Sequence, residues 1–236
     1  MQSNKHTTLK TKINMFLKGW GYSIVIALLI ATSIKSVIAD WNIVPTGSMK
    51  PTILEGDRIF VNKLAYDLKI PYTTWHIAEW GMPQRGDIVV FYSPVDGKRL
   101  VKRVIGIPGD SIAMRDDQLI INGEKITYDP VDGAEPNAPS LHLSADQFYF
   151  IENLNDTRHP VMISPERPAI RSFGPVTIPA GKFFVMGDNR DNSADSRYIG
   201  LIKRASIVGQ ATSIVISLDI NHNYKPRWGR FFTHLP

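Results

Sequence analysis

Cysteine is absent from this 236-residue chain, and acidic residues are absent from its first 39 positions. Without cysteine there are no disulfides, no thiolate nucleophile and no cysteine-based metal site. Residues 1–39 contain five lysines, so the remaining 22 basic residues face all 22 acidic residues in residues 40–236. Because the body of the chain is neutral, no basic stripe for phosphates is expected, and we predict no nucleic-acid partner.

One apolar run is long enough to cross a bilayer. Residues 20–39 read WGYSIVIALLIATSIKSVIA with a single charge, about the twenty residues that a spanning helix needs. Four of the lysines precede it, so the positive-inside rule predicts a cytoplasmic tail at residues 1–19 and everything after Asp40 outside. We favour a retained transmembrane anchor over a cleavable signal, whose small-residue cleavage site is poorly matched, and over a core helix, since no polar face is evident.

Helical periodicity is nearly missing after Asp40, where short β-branched runs are separated by glycine, proline and aspartate. This pattern is typical of a mainly β domain. Asp116-Asp117 and Asn122-Gly123 predict tight hairpins in a meander. The predicted strands are residues 57–63, 87–92, 100–107, 111–115, 119–121, 125–128, 182–186 and 205–217.

Residues 129–180 differ from their surroundings in being rich in proline, aspartate, asparagine and serine. They predict a lobe inserted into a catalytic β-domain that is formed by residues 40–128 and 181–220. Residues 221–236 are basic and aromatic. We interpret them as a tail that either rests on an anionic membrane surface or is simply solvated.

Residues 44–52, VPTGSMKPT, hold a serine that could act as a nucleophile. Prolines stiffen this loop, and a glycine allows close approach of the backbone. Val44, Met49 and Ile53 are candidates for an apolar pocket around Ser48. Taken alone, such a string is more often an ordinary turn.

Residues 99–110, RLVKRVIGIPGD, place two cations on a strand. Alternation puts Lys102 on one face with Leu100 and Val104, and Arg103 on the other. A lysine buried among apolar groups has a lowered pKa, and its neutral amine can take a proton from a serine hydroxyl, which arginine cannot do. The alternative is that both cations extend from a solvated strand.

Residues 186–197, MGDNRDNSADSR, are dense in aspartate, asparagine, serine and arginine. Such a stretch is either a solvent loop or an organised polar network around a site. Its Asp-Asn repeat suggests calcium, but no glutamate follows at the required distance, so we predict no metal. Residues 86–90, GDIVV, predict a turn that leads into a buried strand.

In this order, PTGSMKPT, RGDIVVF, LVKRVIGIPGD and MGDNRDNSADSR resemble the motif boxes of bacterial type I signal peptidases, Ser/Lys endopeptidases that remove signal peptides. The resemblance covers the anchor and most of residues 40–209. It implies a mainly β fold, with a single N-terminal transmembrane helix before an antiparallel, barrel-like protease domain that contains an inserted lobe. It also implies a single-pass enzyme of the bacterial inner membrane, with its catalytic domain on the periplasmic face. Its partners would be membrane lipid and exported pre-proteins, cut after small residues at Ala-X-Ala sites, and it would need no cofactor.

Residue by residue, the resemblance implies that Ser48 is the nucleophile and Lys102 its general base. Thr46 and the Ser48 backbone N–H would form the oxyanion hole, and Ser193 would orient the lysine amine. The remaining implied residues are Asp195 and Arg197 as a supporting ion pair, Asp188 as a residue that shapes the site, and Val44, Met49, Ile53, Leu100 and Val101 as a shallow pocket that admits alanine.

Several alternatives stay open. A self-cleaving SOS-response repressor would need a DNA-binding domain and no anchor. A conjugation-pilin processing peptidase shares the serine and lysine boxes and the membrane setting. A non-enzymatic anchored β-domain would leave Ser48 and Lys102 without a chemical role. Two features depart from the family pattern: Leu100 stands where many relatives carry an aromatic residue, and well-known Gram-negative members have two spans and a larger lobe.

Overall fold

The structure is a computed structural model that describes residues 20–37, 39–70, 75–131, 147–154 and 157–236. The predicted tail of residues 1–19 lies outside the described residues, as does part of the predicted inserted lobe.

Two α-helices lie within the described ranges, α1 (Tyr22–Val37) and α2 (Ser196–Ile199). α1 falls inside the predicted anchor but is 16 residues long. Across the part of the chain that the structure describes, no helix combines the length and the apolarity needed to span a bilayer. Ala39, which the sequence assigned to the anchor, instead begins the first strand.

The strands of the first half are β1 (Ala39–Ile43), β2 (Asp57–Asn62), β3 (Asp67–Lys69), β4 (His76–Glu79), β5 (Ile88–Tyr92), β6 (Arg99–Gly106), β7 (Ser111–Arg115), β8 (Gln118–Ile121), β9 (Glu124–Lys125) and β10 (Thr127–Pro130). They are followed by β11 (Phe148–Leu154), β12 (Thr157–Ile163), β13 (Phe173–Thr177), β14 (Lys182–Met186), β15 (Ile202–Lys203), β16 (Ile207–Asp219), β17 (Lys225–Pro226) and β18 (Thr233–His234). Short 3-10 turns lie at Gly47–Met49, Lys63–Ala65, Arg204–Ser206 and Trp228–Arg230.

The largest sheet follows the order β1-β2-β16-β5-β6-β14-β15, and its neighbouring strands pair antiparallel. β1 and β6 are four steps apart in this order, yet Asp40 in β1 and Arg99 in β6 meet at 3.0 Å. The sheet therefore curls back on itself, as twisted sheets of this size do. This confirms the prediction of a mainly β fold with an antiparallel sheet, and the structure shows that the sheet is curled.

Turn chemistry explains the meander β7-β8-β9. Asp116 and Asp117 have φ angles of 47° and 64°, and Asn122 and Gly123 have 54° and 87°. Two successive positive φ angles define the type of two-residue turn that matches strand twist, and these residue types tolerate them. The predicted hairpins are confirmed. The other predicted strands are confirmed with ends that agree to within two residues, and the run at 125–128 is split between β9 and β10.

The predicted lobe contains strands that the sequence did not indicate. β11 and β12 pair over seven residues. β12 then joins the polar stretch of residues 186–197: Met162 N donates to Asp188 O at 2.8 Å, and Arg190 N donates to Met162 O at 2.9 Å. Polar residues and Pro160 within β12 conceal its strand pattern, because they interrupt the alternation on which strand prediction depends.

The segment that we interpreted as a tail, residues 221–236, lies against the main sheet. β17 and β18 both pair with β16, and Leu235 packs against the core cluster beneath the 44–52 loop. Arg230 Nη2 donates to Thr52 O at 2.9 Å and to Asp57 Oδ2 at 2.7 Å. One basic residue of this segment therefore supports the loop rather than facing solvent.

Candidate active site

The loop between β1 and β2 carries Ser48. Its ends are joined by a hydrogen bond from Val44 N to Asp57 O at 2.9 Å. Ser48 lies in the 3-10 turn Gly47–Met49, in which Met49 is fully buried while Ser48 itself stays partly exposed. The core therefore anchors the turn and leaves the serine accessible.

Lys102 projects from β6 and ends at Ser48. Its Nζ lies 2.6 Å from Ser48 Oγ and 2.8 Å from the carbonyl oxygen of Val101. Lys102 is only 2% exposed and Arg103 is 0% exposed, which contradicts the alternative of a solvated strand. In the described residues, Lys102 has hydrogen bonds to neutral groups and no carboxylate at ion-pair distance.

Burial governs the protonation of Lys102. Removal from water lowers the pKa of Lys102 to about 8, and the negative charges of Asp195 and Asp188 limit that fall. At mildly alkaline pH much of the amine is therefore neutral. A neutral amine 2.6 Å from a hydroxyl oxygen is placed to take up the proton of that hydroxyl.

Two hydrogen-bond donors adjoin Ser48 in the chain. The Thr46 hydroxyl makes no capping bond to the 3-10 turn, and Thr46 is exposed. Among the backbone hydrogen bonds of the described residues, the Ser48 N–H has no acceptor. With respect to the described part of the chain, both donors are thus available to bind an oxygen of a ligand at Ser48.

Arg103, the next residue of β6, has an ionic partner. Its Nε and Nη2 donate to the two carboxylate oxygens of Asp188 at 2.9 and 2.8 Å, the bidentate geometry that guanidinium favours. Burial opposes ionisation of Asp188, but the charge and hydrogen bonds of Arg103 hold the pKa of Asp188 below its ordinary value. The buried pair is therefore ionised.

Asp188 and Asn189 form hydrogen bonds that hold the loop carrying Ser48. Thr52 Oγ1 donates to Asp188 Oδ2. Asn189 Nδ2 donates to Gly47 O at 3.0 Å, and Asn189 N donates to Ser48 O at 3.1 Å. These bonds fix successive carbonyl groups of the turn that carries the serine. Neither Thr52 nor Asn189 was among the predicted site residues.

Ser193 lies beside the same turn. A Cβ atom at Gly187 would collide with Ser193 Oγ and with the Ser48 carbonyl oxygen, so a residue without a side chain is needed for this close approach. Ser193 Oγ is buried and has no hydrogen-bond partner among the described residues. The structure brings Ser193 to the site without bonding it to Lys102.

Asp195 and Arg197 form the ion pair that the resemblance implies. Arg197 Nε and Nη2 donate to the two carboxylate oxygens of Asp195, each at 2.9 Å. Asp195 Oδ2 also accepts from Gly187 N at 3.1 Å, and Arg197 Nη1 donates to Ile170 O at 3.0 Å. The pair thereby supports the backbone that passes next to Ser48.

The five predicted pocket residues do not share one surface. Val44, Met49 and Ile53 are buried in a single core cluster, against which Val101 packs. Leu100 packs against a different cluster. Of the five, Leu100 and Val101 are the ones that keep partial exposure, and a fully buried residue can shape a pocket only from behind its wall.

A buried network between the lobe and the polar stretch had no signal in the sequence. Glu152 in β11 accepts from Arg190 Nη2 at 2.6 Å and from the Tyr128 hydroxyl at 2.7 Å. His159 Nε2 lies 3.2 Å from Glu152 Oε1 and 3.9 Å from Asp188 Oδ1. Because Arg190 and Glu152 are 38 positions apart, no local pattern links them.

A buried amine within hydrogen-bond distance of an accessible serine hydroxyl can activate that hydroxyl without a histidine. Comparison with known proteins then identifies the family. The protein-family model described as signal peptidase, peptidase S26, matches residues 17–216 of this chain. The chain therefore belongs to the signal peptidase family S26 and is a serine peptidase. This confirms the resemblance and the predicted enzyme class, and it excludes the non-enzymatic anchored domain.

Two signal peptidase sequences agree with this assignment. The chain is 37% identical to a signal peptidase I of Pseudomonas fluorescens over 210 residues, covering 84% of this chain and 72% of the relative. It is 37% identical to signal peptidase I T of Bacillus subtilis (strain 168) over 208 residues, covering 88% of this chain and 89% of the relative. A crystal structure of a signal peptidase I from Enterococcus faecalis V583 is 38% identical, covers 56% of this chain and 98% of that chain, and has a TM-score of 0.36.

Proposed function

We propose that this enzyme removes N-terminal signal peptides from exported pre-proteins, with Ser48 as nucleophile and Lys102 as general base. The observation that carries the proposal is the 2.6 Å separation of Lys102 Nζ and Ser48 Oγ, with the amine buried. Burial lowers the pKa of Lys102 to about 8, which favours the neutral amine that a general base must be.

The dyad accounts for both halves of peptide hydrolysis. Lys102 takes the Ser48 proton while Ser48 Oγ attacks the scissile carbonyl carbon, and the oxyanion is bound by the Thr46 hydroxyl and the Ser48 N–H. The Lys102 ammonium then gives its proton to the leaving amine, so the peptide bond breaks and an acyl-enzyme forms. A water deprotonated by the same amine hydrolyses the ester, and Ser48 regains its proton.

Three further residues position the dyad in this proposal. Ser193, whose buried hydroxyl lacks a partner among the described residues, orients the Lys102 amine when it rotates toward it. Asp195, tied to Arg197 and to Gly187 N, fixes the adjoining backbone. Asp188 shapes the site through the serine loop, to which Thr52 connects it.

The substrate lies extended along the open edge of β6 next to Lys102. Val101, which is partly exposed there, walls a shallow pocket that is backed by Val44, Met49 and Ile53. Leu100, also partly exposed, packs against a different cluster and walls a separate pocket. Small residues such as those of an Ala-X-Ala site fit such pockets, whereas larger side chains meet their walls.

Membrane attachment is also part of the proposal. The enzyme is a single-pass protein of the bacterial inner membrane, with its N-terminus in the cytoplasm and the catalytic domain on the outer face. The apolar α1, whose Leu28 and Leu29 are exposed, and the lysines that precede it support this arrangement. Alkaline carbonate should leave the protein in the membrane pellet, and release into the supernatant would contradict the assignment.

Cleavage of a pre-protein with an Ala-X-Ala site tests the dyad. Wild type should cut after the final alanine, and Ser48→Ala and Lys102→Ala should be folded but inactive. Lys125→Ala, which removes an exposed lysine of β9, serves as the control and should cut normally. Cleavage that persists without Ser48 would refute the proposal, and cleavage confined to a pilin precursor would replace it with a specialised pilin peptidase.

A further inference from the structure

Two strand edges lie open beside Ser48 and Lys102. β1 is the first strand of its sheet, so one of its edges has no partner strand in the described chain. β6 pairs with β5 from Arg99 onward on one edge, but β14 joins its other edge only from Arg103 onward. Within the described ranges, the second edge of β6 is therefore unpaired over residues 99–102.

β1 and β6 run in the same direction, because four antiparallel steps separate them in the sheet order. The beginnings of the two strands meet where Arg99 contacts Asp40. Farther along β6, Lys102 meets Ser48, which lies in the loop that follows β1. Three residue steps from Arg99 to Lys102 correspond to about 10 Å along an extended strand.

The Arg99 side chain bridges the gap between these strands. Its Nη1 donates to Asp40 Oδ2 at 3.0 Å and to Asn42 Oδ1 at 2.6 Å, and its Nη2 donates to the Tyr92 hydroxyl at 3.2 Å. The side chain nevertheless keeps 35% of its surface exposed. The guanidinium is thus held across the gap and remains accessible to a bound peptide.

We propose that Arg99 is a specificity-determining residue that contacts the fourth residue before the scissile bond. The inference rests on the proposed function, since it takes Ser48 as the point of cleavage. A peptide extended along the open edge with its scissile carbonyl at Ser48 reaches Arg99 after three residue steps. The substrate residues before the cut lie toward Arg99 for the following reason. The hydrophobic segment of a signal peptide precedes its cleavage site, and it would lie near the apolar α1, which leads into β1 at the Arg99 end.

The bridge sets the size of side chain that this position accepts. A small side chain fits while Arg99 stays bonded to Asp40 and Asn42. A large side chain must displace the guanidinium, and the hydrogen bonds that it loses involve charged groups and are costly to break. We therefore expect a preference for small over large residues four positions before the cut.

The absence of cysteine permits a direct test of position. In the inactive Ser48→Ala background, Arg99→Cys introduces a single thiol, and pre-proteins are prepared with one cysteine at each position from the sixth before the cut to the second after it. Disulfide trapping should peak at the fourth residue before the cut. Trapping that peaks next to the cut or after it, or that is uniform, would overturn the inference.

Arg158→Cys provides the matched control for trapping. Arg158 lies on β12 with its side chain 66% exposed and, like Arg99, pairs with an aspartate, Asp129, at 3.1 Å. A thiol there should show no preference for any substrate position. An equal peak from both sites would mean that trapping reports only thiol exposure, and the inference would fail.

Selectivity gives the second test. Two substrates are compared, one with alanine and one with tryptophan four positions before the cut. The kcat/KM for the alanine substrate divided by that for the tryptophan substrate should fall about tenfold in Arg99→Ala. This ratio should change less in Arg99→Lys and should stay constant in Arg158→Ala. An unchanged ratio in an enzyme that still depends on Ser48 refutes the role of Arg99 alone. Loss of dependence on Ser48 refutes the proposed function instead.

Discussion

Lys102 and Arg103 are neighbours on β6, and both are buried, yet the fold treats their charges in opposite ways. Lys102 ends on a serine hydroxyl and a backbone carbonyl, with no carboxylate at ion-pair distance in the described chain. Arg103 is clamped by both oxygens of Asp188. Alternation of side chains along a strand is what sends two adjacent cations into two different environments.

The different environments of Lys102 and Arg103 follow from the different chemistry of their side chains. Arginine cannot lose its proton in a protein, so a buried Arg103 requires a carboxylate. Lysine can lose its proton, so burial of Lys102 lowers its pKa to about 8 and yields a base rather than an ion pair. In the proposed mechanism, the ionised pair of Arg103 and Asp188 holds the site in place and the Lys102 amine acts as the base.

Replacing Lys102 with arginine should have the largest effect. Lys102→Arg keeps a long cation but removes the one group among the described residues that is hydrogen-bonded to Ser48 Oγ and can accept a proton at working pH. We therefore expect kcat/KM for pre-protein cleavage to fall about 10³-fold or more. Circular dichroism of the same variant should show a folded protein. Activity within tenfold of wild type would mean that Lys102 is not the base.

Breaking the other pair should instead damage stability. Asp188→Ala leaves the fully buried Arg103 without its counter-charge, and we expect a loss of about 3–5 kcal/mol in the free energy of unfolding. Urea unfolding of the catalytic domain measures this loss. Asp96→Ala, which removes an exposed acid from a turn, is the control and should leave the unfolding midpoint unchanged. A stable Asp188→Ala variant would show that Arg103 finds another partner.

The pH dependence of cleavage sharpens the comparison. In the proposed mechanism the neutral amine is the active form, so kcat/KM should rise with pH along a limb at about 8, the pKa of Lys102. The negative charge of Asp195 favours the ammonium form and raises that pKa. Asp195→Asn should therefore move the limb to lower pH, as a pH–rate profile would reveal.

Two outcomes would count against this explanation. A limb that stays in place in Asp195→Asn would mean that the Asp195 charge does not reach the amine. An equal shift of the limb in the control variant Asp96→Asn would mean that the limb responds to the net charge of the protein. Lower activity at all pH values, without a shift, would assign Asp195 a purely structural role through Arg197 and Gly187.

Arg230 should have the smallest effect of the four. Its bonds to Thr52 O and Asp57 Oδ2 support the serine loop, but its side chain is partly exposed. Arg230→Ala should lower the free energy of unfolding by about 1 kcal/mol. Arg230→Lys should recover part of that loss, and a variant as damaging as Asp188→Ala would contradict the ranking.

Local chemistry made part of this structure predictable. The hairpins of the β7-β8-β9 meander follow from Asp116-Asp117 and Asn122-Gly123, residue types that accept positive φ. β12 was not predicted, because Pro160 and its polar neighbours interrupt strand alternation. The strand pairing of residues 221–236 was not predicted either, because their partners lie on β16. Local patterns identify strands, whereas pairing between distant segments does not leave such patterns.

Some features of the candidate site were likewise predictable from the sequence, and others were not. Sequence motifs were sufficient to single out Ser48, Lys102 and Asp188, and the family comparison agrees with the class of enzyme that these motifs indicate. They did not reveal the roles of Thr52 and Asn189 behind the serine loop, nor the bridge from Arg99 to Asp40. These contacts join segments whose meeting depends on how the sheet curls.

By itself, the sequence determined the mainly β character, the turn positions, the neutral charge of residues 40–236 and the residue types available for catalysis. Only the tertiary structure decided which buried cation would be neutralised by a carboxylate and which would be left to titrate. Ser48 is 54 positions from Lys102, and Asp188 is 85 positions from Arg103. The physical reason is that burial and the distance between charges set the pKa of a side chain, and both depend on packing between remote segments rather than on sequence neighbours.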